Sequence, residues 1–299
     1  MRAPLRHAVL GILAAALLAG LAGGALLLHA PASPEAAEAP GPAGASPEAA
    51  PASPPEAALP LPPEPPRLAE GPEYEACLAL LRIDPEGAAQ RAMQWEERGG
   101  GDGARHCLAL ALLALGEPDR AAARLERLAG GLAGGGPGGN AARASVYAQA
   151  SQAWMMAGDP GRAYGAATLA LVLMPDDPAL LVDRALAAGA QGRYAEALED
   201  LNRALSLDRG RADALVFRAA ALRHLDRPEA AMQDIEAALR LNPESPEALL
   251  ERGILRQLKG DAGGARGDWQ RIIALAPDSA AADLARQNLA LNEAGPRRR

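Results

Sequence analysis

From residue 144 onward, apolar positions recur at helical spacing in blocks that repeat every 34 residues. Ala163, Ala197, Ala231 and Ala265 stand one period apart, as do Leu173, Leu207, Leu241 and Leu275. Three of the four blocks close at Pro175, Pro243 and Pro277, with Arg209 as the exception. Within each block the pattern predicts two helices, separated by a turn that carries Gly158, Gly192, Asp226 or Gly260. A unit this short cannot bury its own apolar face, so neighbouring copies must stack to make a continuous core.

The blocks begin at Ala144, Pro178, Ala212 and Pro246 and keep phase without insertion. Each holds a small residue at its eighth position (Ser151, Ala185, Ala219, Gly253), and three of the four hold Ala at the twenty-seventh (Ala170, Ala204, Ala238), where the last has Ile272. Small side chains there let two helices touch and let the next unit nest against them. Larger residues at the fourth position (Tyr147, Leu181, Leu215, Leu249) and at the twenty-fourth (Leu201, Ile235, Trp269) fill the space between layers, although the first block has Ala167 in the latter place.

This pattern resembles the tetratricopeptide repeat family, over residues 144–279. The resemblance implies an all-α, right-handed superhelical solenoid of antiparallel helix pairs, with units 144–177, 178–211, 212–245 and 246–279. It also implies that the first helices line a concave, peptide-binding groove. Mapped onto this chain, the groove positions include Gln152, Met155, Met156, Val182, Leu186, Val216, Arg223, His224, Leu250, Ile254 and Gln257. Most are apolar, which suits an amphipathic helix or apolar peptide of another protein, with Met155 and Met156 as adaptable contacts. The only lysine is Lys259, outside the groove positions, which disfavours a clamp for a C-terminal carboxylate.

Upstream, residues 73–143 read as degenerate pairs of the same kind. Glu73 to Ile83 and Pro85 to Arg98 form one pair and Ala104 to Leu128 a second, followed by a flexible loop at Gly134-Gly135-Gly136-Pro137-Gly138-Gly139. Downstream, residues 280–293 read as a lone capping helix with polar Arg286, Gln287 and Asn288, and 294–299 as a tail.

Composition explains why the core must be built from Ala and Leu: 49% of residues are hydrophobic but only 3% aromatic. These are strong helix formers, whereas strands favour the β-branched and aromatic types. A net charge of -7 and the lack of a basic stripe argue against nucleic acid as the partner. Residues 1–33 read as an export element, in which Arg2 and Arg6 precede an uncharged run from Ala8 to Leu28. Cleavage at the Ala30/Ala32 pair would make it a signal peptide. Retained, it would be an apolar helix anchoring the chain in the inner membrane. In either case the remainder is expected to face the periplasm. Residues 34–72 are a disordered Pro/Ala-rich linker that cannot form a core.

Charges follow the period as well. Arg184, Arg218 and Arg252 occupy the seventh position of successive blocks, and Asp200, Asp234 and Asp268 the twenty-third. The first block lacks both, with Ala150 and Ala166 in their places, so structural ion pairs are expected; counting leaves open whether Asp200 pairs with Arg184 or Arg218. Cys77 and Cys107 are the only cysteines, and in an oxidising compartment they can form a disulfide or remain two small buried residues. His106 beside Cys107 lacks a third orienting group, so no catalytic residue is assigned. No metal-ligand spacing occurs and no cofactor is called for. The expected function is a non-enzymatic envelope scaffold or assembly factor, with self-association through the groove as the alternative.

Overall fold

The computed structural model describes residues 68–132 and 136–293. Among these residues the chain forms thirteen helices and no strand. They are α1 (Pro72–Leu80), α2 (Pro85–Glu97), α3 (Gly101–Ala114), α4 (Pro118–Gly131), α5 (Gly136–Met156), α6 (Pro160–Leu173) and α7 (Pro178–Ala190). There follow α8 (Tyr194–Leu207), α9 (Ala212–His224), α10 (Pro228–Leu241), α11 (Pro246–Leu258), α12 (Ala262–Leu275) and α13 (Ala280–Glu293). The export element, most of the Pro-rich linker and the tail lie outside the described residues. Among the described residues no helix is long and apolar enough to cross a membrane.

Local chemistry sets the helix boundaries. Pro opens α2, α4, α6, α7, α10 and α11, where its missing N–H would have had no intrahelical partner. Asp84, Asp159, Asp177, Ser245 and Asp261 accept hydrogen bonds from first-turn N–H groups. The turn inside each pair passes through a left-handed residue: Gly116, Gly158, Gly192, Asp226 and Gly260 have φ of 75°, 76°, 75°, 58° and 84°. Of the loop expected at 134–139, residues 134 and 135 lie outside the described residues, and 136–139 are helical. Helix α5 already begins at Gly136, because Pro137 falls in a first turn that needs no donor from it.

Every helix packs on the next, and the odd-numbered helices also touch the next odd-numbered helix from α5 to α13, as α1 does α3. The odd helices therefore form the inner layer and the even helices the outer. One continuous core runs from Ala109 to Ala285, built on Ala163, Ala197, Ala231 and Ala265, each no more than 1% exposed. A second, smaller core joins α1 to α4 around Tyr74, Cys77, Cys107 and Leu112.

Candidate functional site

The inner layer is where the groove residues fall, and their burial redraws the expected surface. Val182, Leu186, Val216, Leu250 and Ile254 are buried, with exposures between 1% and 7%, and they pack within the main core. They are corrected from partner-binding to structural residues. The physical reason is that adjacent inner helices pack on one another and on the outer helices over these positions. Arg223 is corrected in the same way. Its Nε donates to Glu251 on the next inner helix at 2.6 Å, and both side chains are buried. Burial pushes the Glu251 carboxyl above the usual carboxylate range, with the Arg223 charge acting in the opposite sense. His224 stacks flat on Tyr194, ring centroids 4.1 Å apart.

What remains accessible is polar with adaptable apolar points. Gln152 and Met155 are half-buried, and Met156 and Gln257 are exposed, as is Leu258 beside them. Gln152 Nε2 donates to Asp183 at 3.4 Å, and Arg211 pairs with Asp213, so a polar cluster crosses α5, α7 and α9. Burial pulls the Arg211 guanidinium down, but its hydrogen bond to Asp213 and the charges of Asp213, Asp183 and Asp208 raise it on balance. Such a surface offers hydrogen bonds and thioether contacts; it presents no nucleophile beside a base.

The periodic charges are spent inside the hairpins. Arg184 donates to both oxygens of Asp200 at 2.7 and 2.6 Å, Arg218 to Asp234 at 2.7 Å twice, and Arg252 to Asp268 at 3.0 and 2.6 Å. Each Arg thus chooses the Asp of its own unit. The hydrogen bond to Asp200 raises the Arg184 guanidinium against the opposing effect of burial. Bidentate forks of this kind fix the angle between the two helices of a pair. In the first unit Ala150 and Ala166 are buried and no fork is needed. Arg286 instead bonds Asp283 and the Pro277 carbonyl, both at 2.7 Å.

At the N-terminal end Cys77 of α1 is disulfide-bonded to Cys107 of α3, with Cα atoms 6.4 Å apart. Beside it lies a buried polar chain that sequence reasoning did not find. His106 Nδ1 stands 2.7 Å from the Tyr74 hydroxyl and Nε2 2.8 Å from Gln149 Oε1, so one neutral tautomer satisfies all three groups. Burial drives the His106 pKa down to about 4, with Gln149 pulling weakly the other way. The only signal in the sequence was three polar residues on faces otherwise occupied by Ala and Leu. Among the described residues no group of three or more His, Cys, Asp or Glu side chains could hold a metal.

Stacked helical hairpins in two layers define a repeat solenoid. Residues 179–211 and 218–290 each match a family model described as tetratricopeptide repeat. Over these two segments the chain is similar to tetratricopeptide repeats. No curated protein matches the sequence. The fold is similar to that of a chain of the Cut9–Hcn1 hetero-tetramer of the APC/C, with a TM-score of 0.55 and 18% identity over 73% of this chain and 42% of that one. This chain thus spans less than half the length of that protein. It is also similar to pilF of Pseudomonas aeruginosa (TM-score 0.54, 18% identity, 73% of this chain and 95% of that one). A third similar structure is a thermophilic tetratricopeptide repeat protein of Thermus thermophilus, TTC0263 (TM-score 0.52, 18% identity, 64% and 98%). At these identities the likeness concerns the fold alone.

Proposed function

We propose that the chain is an exported, non-enzymatic interaction module that holds a segment of another protein against its inner layer. The observation that carries this reading is the row of accessible side chains on the inner helices: Gln152, Met155 and Met156 at one end, Gln257 and Leu258 at the other. Buried neighbours hold that row rigidly, which lowers the ordering cost of binding. The partner segment would offer apolar anchors to the methionines and donors to Asp183 and Asp213. Export is supported by the apolar run from Ala8 to Leu28 together with a fully buried disulfide, which an oxidising compartment would maintain. The Pro-rich spacer would then hold the solenoid away from the membrane, as suits a scaffold or assembly factor of the cell envelope.

The test is a photoreactive amino acid placed in turn at Met156, Leu258 and the outer-layer Gln233 of the full chain in cells. A discrete protein adduct from the first two positions and none from the third is expected. Equal adducts from all three, or none, would overturn the reading. In the same cells Cys77 and Cys107 should resist alkylation until reduced; free thiols would remove the case for export.

A further inference from the structure

The outer layer contains one helix that differs from its three counterparts. At the positions equivalent to Gly165, Leu169 and Val172 of α6, α8 carries Glu199, Arg203 and Ser206, α10 carries Gln233, Ala237 and Arg240, and α12 carries Gly267, Arg271 and Ala274, so each of the three places at least one charge there. Helix α6 instead presents Gly165, Leu169 and Val172, with Leu169 48% and Val172 75% exposed. Because the repeat supplies its own controls, packing within a unit does not require this face to be apolar. Nor does solubility, which the charged residues on the other three helices serve.

We infer that the outer face of α6 is the contact by which two copies of this chain pair back to back about a two-fold axis. The face is complementary to itself in shape. A Cβ added at Gly165 would meet no heavy atom within 4 Å, so the surface there is open, whereas Val172 stands proud one and a half to two turns further on. An antiparallel copy brings the ridge of one helix to the level of the opening on the other. The charges are complementary as well: Arg162 and Asp176 lie seven residues before and after Leu169. A two-fold axis through Leu169 sets it against its own copy and brings each Arg162 beside the other copy's Asp176, twice over. Only an isologous contact uses one patch in this way. Both charged side chains keep about half or more of their surface, so each can turn toward a second partner while retaining Glu126 or Arg203.

The area sets the strength. A 14-residue helix is about 21 Å long and supplies only part of the roughly 800 Å² per partner of a stable interface, so the pair is reversible, with a dissociation constant on the order of micromolar. This contact lies on the opposite layer from the inner row and does not depend on what that row binds.

Sedimentation equilibrium of the full chain at about 1 to 100 μM, in a density-matched detergent that covers the N-terminal apolar run, reads the mass directly. The expected result is a shift from 30.6 kDa to twice that value with concentration, and at least a tenfold weakening in Leu169→Glu with an unchanged circular dichroism spectrum. As an independent readout, Leu169→Cys should give a covalent dimer under copper–phenanthroline oxidation, and Gln233→Cys on α10 should not. A monomer throughout, a dimer indifferent to Leu169→Glu, or equal cross-linking at both sites would overturn the inference. So would a monomer whose binding to phosphatidylglycerol vesicles is lost in Leu169→Glu, which would make the face a lipid contact.

Discussion

Adding a single methyl group to Gly253 should destabilise the fourth unit, although the same change improves most helices. Gly253 is buried in α11, and a Cβ there would lie 2.8 Å from Cδ1 and 2.9 Å from Cε2 of Trp269, which is only 2% exposed. In the second and third units the corresponding pairs are Ala185 with Leu201 and Ala219 with Ile235. The indole has taken the volume of the missing methyl, and it cannot swing out of a closed core. Gly→Ala in a helix interior gains about 1 kcal/mol of propensity, and overpacking of a tight core costs about 1–3 kcal/mol. The net for Gly253→Ala is a loss of up to about 2 kcal/mol. Gly267→Ala, in α12 with no heavy atom within 4 Å of the new Cβ, should instead gain about 1 kcal/mol. Urea unfolding followed by circular dichroism at 222 nm separates them without relying on tryptophan fluorescence. In a double-mutant cycle, Gly253→Ala with Trp269→Leu restores the pairing of the second unit and should lose at least 1 kcal/mol less than the two single changes summed. The double change also removes a buried indole N–H that has no hydrogen-bond partner among the described residues. A stabilising Gly253→Ala, or strict additivity, would refute the reasoning.

Three other expectations use the same measurements. Replacing Cys77 and Cys107 by Ala releases a loop of 30 residues and should cost about 3–4 kcal/mol of local stability, with hydrogen exchange rising in α1 to α3 and unchanged in α9 to α12. His106 titrates at about 4 when folded and near 6.5 when unfolded, so its contribution is fully present above pH 6.5 and falls as the pH drops toward 4. At pH 5 the loss should be about 2 kcal/mol relative to pH 7.5, and His106→Gln should abolish that slope; a slope kept by the variant would point elsewhere. Asp226 is the one non-glycine residue with positive φ among the described residues, and Asp226→Gly should raise stability by about 0.5–1 kcal/mol in urea melts.

The periodic features were the most readable in the sequence, because each repeats its own evidence. Four copies of the small and large positions specify helical hairpins, and the joint loss of Arg and Asp in the first unit marked them as partners before any geometry was known. Which Asp each Arg would take was not legible: a spacing of 16 within a unit and 18 across units is equally plausible on paper, and only the hairpin's antiparallel arrangement selects the former. The binding surface was the least readable. Mapping family positions onto residue numbers does not say how deep each side chain sits, and Val182, Leu186 and Val216 are buried where adjacent inner helices pack. Arg223 misled for another reason, since a charge on an expected groove position looks like a ligand contact unless its buried mate, Glu251, is recognised 28 residues away. The Gly-rich stretch before Ala144 misled through composition, because a helix start tolerates what a helix middle does not.

The clamps between units are unequal. Arg223 and Glu251 lock the third unit to the fourth through a buried pair, and Arg218 reaches back to Asn202 at 3.1 Å to join the second and third. The first and second are tied at several points: Gln152 bonds Asp183 at 3.4 Å, Gln191 donates to the Pro160 carbonyl at 3.0 Å, Arg203 pairs with Asp176 at 2.6 Å, and the Arg193 guanidinium lies 4.0 Å from the centre of the Tyr164 ring. Each joint of the four-unit block thus carries polar contacts in addition to its apolar core, so the curvature is set along the whole block and not at a single hinge. A partner would therefore meet a preset curve, and adaptation to its shape would fall to the flexible side chains of Met155 and Met156 rather than to the backbone.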